Sequence, residues 1–200
     1  ENYFGTMLTY MGITDGMVSG AIHSTGDTVR PALQIIKTKP GVSRTSGAFL
    51  MVRGRDQEKY LFSVCAINVN PNAQELAEIA VESAKTAELF DIEPKVAMMS
   101  FSTKGSAKAP EVEKVSEATK IAQELAPDFL IDGELQFDAA YIPGVAQLKA
   151  PESKVAGQAT VFVFPELLSG NFGYNIAQRF GGFEAIGPVL QGLKNPVSDL

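Results

Sequence analysis

The apolar positions along the chain switch repeatedly between strand-like runs and helix-like spacing. From Gly47 to Arg53 a run of β-favouring residues predicts a strand, Gly54 to Glu58 a turn, and Tyr60 to Cys65 a returning strand, which together make an antiparallel hairpin. Asn72 followed three residues later by Glu75 has the pattern of a capping box. Leu76, Ile79, Ala80, Ser83, Ala87 and Phe90 then recur at helical spacing and give one core-facing stripe. Lys95 to Ser100 predicts a buried strand, and Pro110 opens a helix with Val112, Val115, Thr119, Ala122 and Leu125 on one face. Phe129 to Ile131 and Thr160 to Phe164 are further short apolar runs, and Phe172, Ile176, Ala177 and Phe180 mark a last helix stopped by Gly181-Gly182. Such alternation predicts an α/β sheet covered by helices on both faces, with an antiparallel element at its edge.

The first forty residues form a separate piece. Tyr3 to Met11 reads as a short helix and Met17 to Ser19 as a short strand, and a second helix is expected to begin between Thr28 and Pro31. A segment this short cannot close a core of its own, so it belongs to a larger unit, with Lys39-Pro40-Gly41 as the hinge. No element is expected from Asn195 to Leu200, and the chain reads as an excerpt of something longer.

Composition narrows the function. The net charge of −6, from 17 Lys plus Arg against 23 Asp plus Glu, gives no general field for nucleic acid or an anionic membrane, so an anionic substrate needs a local positive site. No apolar run reaches the roughly 18 residues of a membrane span, and the default expectation is a cytoplasmic protein. The single cysteine, Cys65, lies inside the apolar run Tyr60–Cys65 and is expected to pack as a small hydrophobe.

Three strand-to-helix loops carry the candidate chemistry. The stretch Ser19 to Pro31 offers Ser19, Gly20, the hydroxyls of Ser24, Thr25 and Thr28, and the Arg30 guanidinium, a set that can converge on one phosphoryl group; an ordinary capped helix with a surface arginine is the bland alternative. Ser100 to Ser106 supplies Ser102 and Lys104, but Lys104 precedes the glycine, so this is not the phosphate loop of a nucleotide hydrolase. Leu168 to Arg179, with Asn171 and Arg179, is the third. His23 is either a general base or hydrogen-bond donor or a structural residue, and Asp132, Glu134 and Asp138 either bind a cation or act as base, or serve caps and turns. No His, Cys and carboxylate set has metal-ligand spacing.

Together these stretches resemble the phosphate acetyltransferase family of phosphate acetyl/butyryltransferases. The resemblance rests on Asp15 to Gln34, Met99 to Ser106, Leu130 to Ala140, Ala156 to Pro165, Gly170-Asn171, Ile176 to Arg179 and Gly187 to Gly192, and it covers essentially the whole chain. It implies a two-domain αβα architecture like that of isocitrate and isopropylmalate dehydrogenases. Residues 1–39 would belong to the first domain and 40–197 to the second, with 198–200 starting the return to the first. It also implies a cytoplasmic homodimer, built on apolar elements such as Asn72 to Phe90 and Gly47 to Cys65. The implied reaction is reversible acetyl transfer between acetyl-CoA and phosphate, with coenzyme A and acetyl phosphate as substrates and no bound cofactor. Phosphate butyryltransferase is the alternative within the chemistry, and a non-catalytic dimerisation and anion-binding module the alternative for these residues alone. Arg30 would bind the anionic substrate, with Arg179 a second candidate for the cleft. The family's catalytic Ser-Arg pair and following Asp would come after Leu200, so no catalytic residue is expected within the chain.

Overall fold

The structure is a computed structural model and describes residues 1–54 and 58–200. Helix α1 (Asn2–Tyr10), strand β1 (Met17–Ser19) and helix α2 (Thr25–Pro31) come first. Ser24 Oγ accepts the Asp27 N–H at 3.3 Å and caps α2, which therefore starts earlier than expected, and Pro31 closes the helix instead of opening it. A proline there has no N–H for the Asp27 carbonyl. Asn2 Nδ2 donates to that oxygen instead, at 3.2 Å, and ties α1 to α2. The chain continues through a π-helical turn, Ala32–Ile36.

Strands β2 (Ser46–Arg53) and β3 (Glu58–Ala66) form the expected antiparallel hairpin; the turn expected between them falls largely on residues 55–57, outside the described residues. Helix α3 (Ala73–Leu89) carries the anticipated capping box, with Asn72 Oδ1 accepting the Glu75 N–H and Glu75 Oε2 the Asn72 N–H. Strand β4 (Lys95–Met99), α4 (Pro110–Leu125) and β5 (Leu130–Leu135) follow, then α5 (Phe137–Tyr141), α6 (Pro143–Lys149), β6 (Val161–Val163), α7 (Leu167–Gly181), β7 (Glu184–Gln191) and β8 (Val197–Asp199). Asp132 to Glu134 thus lie within a strand, not in a turn after one, and the last residues do form an element.

One eight-stranded sheet runs in the order β1-β8-β7-β2-β3-β6-β4-β5. The pairs at both ends, β1 with β8 and the run β3-β6-β4-β5, are parallel, while β8-β7-β2-β3 are antiparallel. The antiparallel element is therefore internal to the sheet, not at its edge. β3 to β4 and β4 to β5 carry the chain one way and β5 to β6 brings it back, so right-handed crossovers place α3 and α4 on one face and α5 and α6 on the other.

Two clusters make the interior. The larger joins β2 to β6 with α3 and α4, around Met51, Leu61, Leu76, Met98 and Phe162. The smaller joins Val29, Ala32 and Ile36 to Leu190, Leu193 and Val197, and so fastens the first forty residues to β7 and β8. Helix α3 buries most of its length, Leu76 through Ala87, and β2 and β3 lie inside the sheet. Neither is free to form the two-fold contact expected of them, because the stripe and hairpin that looked apolar in sequence are spent on the chain's own core. Among the described residues, no helix is long and apolar enough to cross a membrane and no side-chain group could hold a metal ion.

Candidate functional site

A cleft of about 480 Å³ opens where α7 passes the ends of β3, β7 and β8. Thr25 at the start of α2 stands on one side. Asn171, Asn175, Gln178 and Arg179 of α7 form the other, spaced so that successive turns present one polar stripe. Asp199 also lines it, and the Phe49 and Tyr174 rings, stacked 4.1 Å apart, give it an apolar wall.

Local sequence explains why α7 sits there. Glu166 caps it, accepting the Leu168 N–H at 2.7 Å and the Ser169 N–H at 2.8 Å, so the helix begins at Leu167 and contains the whole segment read from sequence as a loop. Burial raises the Glu166 carboxyl, but hydrogen bonds from Ser169 and Leu168 outweigh it and hold the group below its ordinary value. Gly170 lets the helix lie directly on β3, because a Cβ at that position would overlap the Val64 carbonyl oxygen. On the β3 side the backbone is strained: Val64 and Ile67, both β-branched, have φ of 65° and 74° and bracket the cleft-lining Cys65 and Ala66. Cys65 is buried, its Sγ donating to the Gly170 carbonyl at 3.4 Å, and burial pushes its thiol up, so it packs as expected and is no nucleophile.

The candidate residues do not all meet in one place. Thr25, Asn171 and Arg179 meet in the cleft. Ser19 and Gly20 line an adjoining cavity of about 380 Å³ with Asn2, His23 and Leu200, although the Ser19 hydroxyl already donates to Asn2 Oδ1 at 2.8 Å. Ser24 is occupied as the cap, and Thr28 is fully buried with its hydroxyl on the Ser24 carbonyl at 3.4 Å, which corrects the expectation that it faces a ligand. Arg30 is exposed on α2, 3.6 Å from Asp27, and lines neither cavity.

Ser102 and Lys104 belong to a different place. Ser102 is fully buried and donates to Glu134 Oε1 at 2.9 Å, and the same oxygen accepts the Gly105 N–H at 2.6 Å. Lys104 is paired with Asp132 and donates to the Gly133 carbonyl at 2.8 Å. Both side chains are consumed in bracing the loop against β5 and are not free to hold a substrate. Their neighbours on β5 and α5 are likewise engaged, with Asp138 held below the ordinary carboxylate range by its hydrogen bond from Lys149. A larger cavity, about 820 Å³, lies beyond the ends of β4 and β6, but its one lysine, Lys114, already donates to Asn70 Oδ1 and the Pro165 carbonyl between Glu111 and Glu166. It offers no surplus positive charge to an anion.

Sequence reasoning missed Asp199. It is only 3% exposed, and its Oδ1 has no hydrogen-bond partner among the described residues. A signal was there: in a strand Val197 and Asp199 point the same way, so a carboxylate occupies a core position beside a valine that is 1% exposed.

The class is an α/β protein whose sheet ends in a polar cleft lined by amides, a guanidinium and a carboxylate, the place where ligands of such sheets usually sit. Comparison with known proteins makes this specific. Residues 1–200 match the family described as Phosphate acetyl/butaryl transferase. A phosphate acetyltransferase of Bacillus subtilis (strain 168) is 66% identical over the whole chain, and the chain spans 61% of that relative's length. A solved phosphotransacetylase from Streptococcus pyogenes, 70% identical, superposes with a TM-score of 0.96 over all of this chain and 60% of that one. A branched-chain phosphotransacylase from Enterococcus faecalis V583, at 22% identity and a TM-score of 0.82 over all of this chain and 71% of that one, shares the fold. The chain belongs to the phosphate acetyl/butyryl transferase family.

Proposed function

We propose that this chain is part of a phosphate acetyltransferase, which moves an acetyl group reversibly between coenzyme A and inorganic phosphate. The observation that carries the reading is the 66–70% identity, across every residue of the chain, to proteins named for that activity. The cleft supports it chemically. Arg179 and the α7 amides are donors suited to phosphoryl oxygens, and Thr25 lines the same cleft of an otherwise acidic chain. Acetyl in preference to butyryl transfer follows from the names of the close relatives, the branched-chain homologue being far more distant. In the same reading residues 1–39 and 198–200 belong to one domain and 40–197 to another, and the protein works in the cytoplasm.

A two-fold assembly is part of the proposal, with its place revised. One exposed apolar surface lies on α7, where Phe180 is 90% and Ile176 57% exposed, beside a groove of about 530 Å³ walled by Tyr60, Phe137, Phe162 and Phe183. A self-complementary contact there would cover it.

The test is phosphate-dependent release of coenzyme A thiol from acetyl-CoA by the protein at the full length of its relatives, with butyryl-CoA in parallel. No release above background would sink the reading, and faster release from butyryl-CoA would replace acetyl with butyryl.

A further inference from the structure

Strand β2 is flanked by irregular pairing on both sides at one place. Towards β7, Ala48 pairs with Val189 and Leu50 with Ile186, so Gly187 and Pro188 bulge opposite the single residue Phe49. Towards β3, Val64 and Cys65 are extra residues between the pairs Ala48–Ser63 and Gly47–Ala66. Bulges re-aim side chains beside sites, and here the ring that both surround is Phe49. Gly187, with φ of 146°, lies so close that a Cβ would stand 2.8 Å from the Ala48 carbonyl oxygen and 3.2 Å from Phe49 Cδ1. From α7, Tyr174 stacks on Phe49 with the ring planes 17° apart. Both rings line the cleft, with Ala66, Ile67, Ala185 and Pro188 around them, and the wall they make lies wholly within residues 49–188.

A branched-chain phosphotransacylase shares this fold, so the fold itself does not fix the acyl chain and side chains have to. Tyr174 follows Asn171 by three residues and precedes Gln178 by four, which puts its ring on the same face of α7 as the polar stripe. An acyl donor held by its polar end on those amides therefore presents its apolar end to the ring pair. The arm of coenzyme A fits the rings less well, because its amides find no partner on two aromatic faces. We propose that Phe49, braced by Tyr174, sets the length of the acyl chain that the cleft accepts, which rests on the acetyl-transfer reading above. Phe49 is only 8% exposed and is pinned against Gly187, so its ring cannot swing aside for a longer chain. An acetyl group ends at the rings. The two further methylenes of a butyryl group collide with them.

The experiment uses the protein at the full length of its relatives, with Phe49→Ala to remove the ring and Phe49→Leu to shorten it while keeping apolar bulk in the core. The readouts are kcat/KM for acetyl-CoA and for butyryl-CoA in phosphate-dependent thiol release, and KM for phosphate. The ratio of butyryl to acetyl kcat/KM should rise about 10-fold or more in Phe49→Ala and by a smaller factor in Phe49→Leu, the scale on which one or two methylenes are discriminated. KM for phosphate should stay within about twofold. Phe49→Ala leaves a hole in the core and should melt lower, but the ratio is internal to each preparation, so a loss of folded protein cancels from it. If Phe49→Ala does not fold, Phe49→Leu decides. An unchanged ratio in the folded variants of an active enzyme would overturn the proposal alone. So would an equal fall for both thioesters, which assigns the rings to the arm of coenzyme A. A wild-type protein that releases thiol from neither thioester would overturn the acetyl-transfer reading along with it.

Discussion

Two carboxylates in this chain are almost equally buried and differently treated. Glu134, 4% exposed, accepts from the Ser102 hydroxyl and the Gly105 N–H, and its own carbonyl accepts the Lys104 N–H at 3.1 Å. Asp199, 3% exposed, has no hydrogen-bond partner for its Oδ1 among the described residues. Both stand by a glycine-containing stretch that follows a parallel strand, residues 100–106 after β4 and 20–24 after β1. The first loop is closed on itself, and its hydroxyls and lysine are answered internally. The second loop adjoins an open cleft. A buried charge answered from within its own loop, as Glu134 is, builds structure.

The contrast is broken most forcefully at Glu134. Glu134→Ala strands the Ser102 hydroxyl and Gly105 N–H in a buried site, at about 1–3 kcal/mol for each group, so urea unfolding should show a loss of roughly 3 kcal/mol. An unmoved midpoint would mean the carboxylate does not brace the loop. Next in size is Gly170→Ala, whose added Cβ meets the Val64 carbonyl and pushes α7 off β3. The expected cost is about 1–3 kcal/mol, with a fall in kcat/KM because the Asn171–Arg179 wall moves with the helix. Stability lost with kinetic constants intact would separate α7 from the site.

Glu166→Ala removes the cap of α7 and should cost about 1 kcal/mol. It also carries a pH signature. The folded-state carboxyl lies below its ordinary 4.5, so its contribution is complete above that value and is lost as pH falls through the lowered folded value. Acid titration of the melting temperature should therefore be shallower in Glu166→Gln below about pH 4.5 than in wild type. Parallel curves would remove Glu166 from the acid sensitivity of the fold.

Much of the larger unit was legible in sequence because its signals are local. The Asn72–Glu75 box, Pro110 at the start of α4 and Gly182 at the end of α7 each fix a boundary by their own chemistry. What escaped depends on distant partners. Strands β7 and β8 lack a strong apolar run and are defined by pairing with β2 and β1, and Ser102 and Lys104 looked available until β5 brought Glu134 and Asp132 against them. The site was half legible for the same reason. Thr25, Asn171 and Arg179 converge, but Thr28 turns into the core and Arg30 to solvent, since the earlier start of α2 sets which side of the helix each residue occupies. Asp199 hides in a three-residue strand whose burial comes from the neighbouring elements.

The central claim is that Glu134 is buried to brace the fold while α7 carries the cleft. Urea unfolding and kcat/KM measured together on Glu134→Ala and Gly170→Ala, in the protein at the full length of its relatives, test it most directly. The account predicts that Glu134→Ala loses stability with kcat/KM within about twofold of wild type, and that Gly170→Ala loses both. A Glu134→Ala variant as stable as wild type, or a Gly170→Ala variant with wild-type kcat/KM, would contradict it.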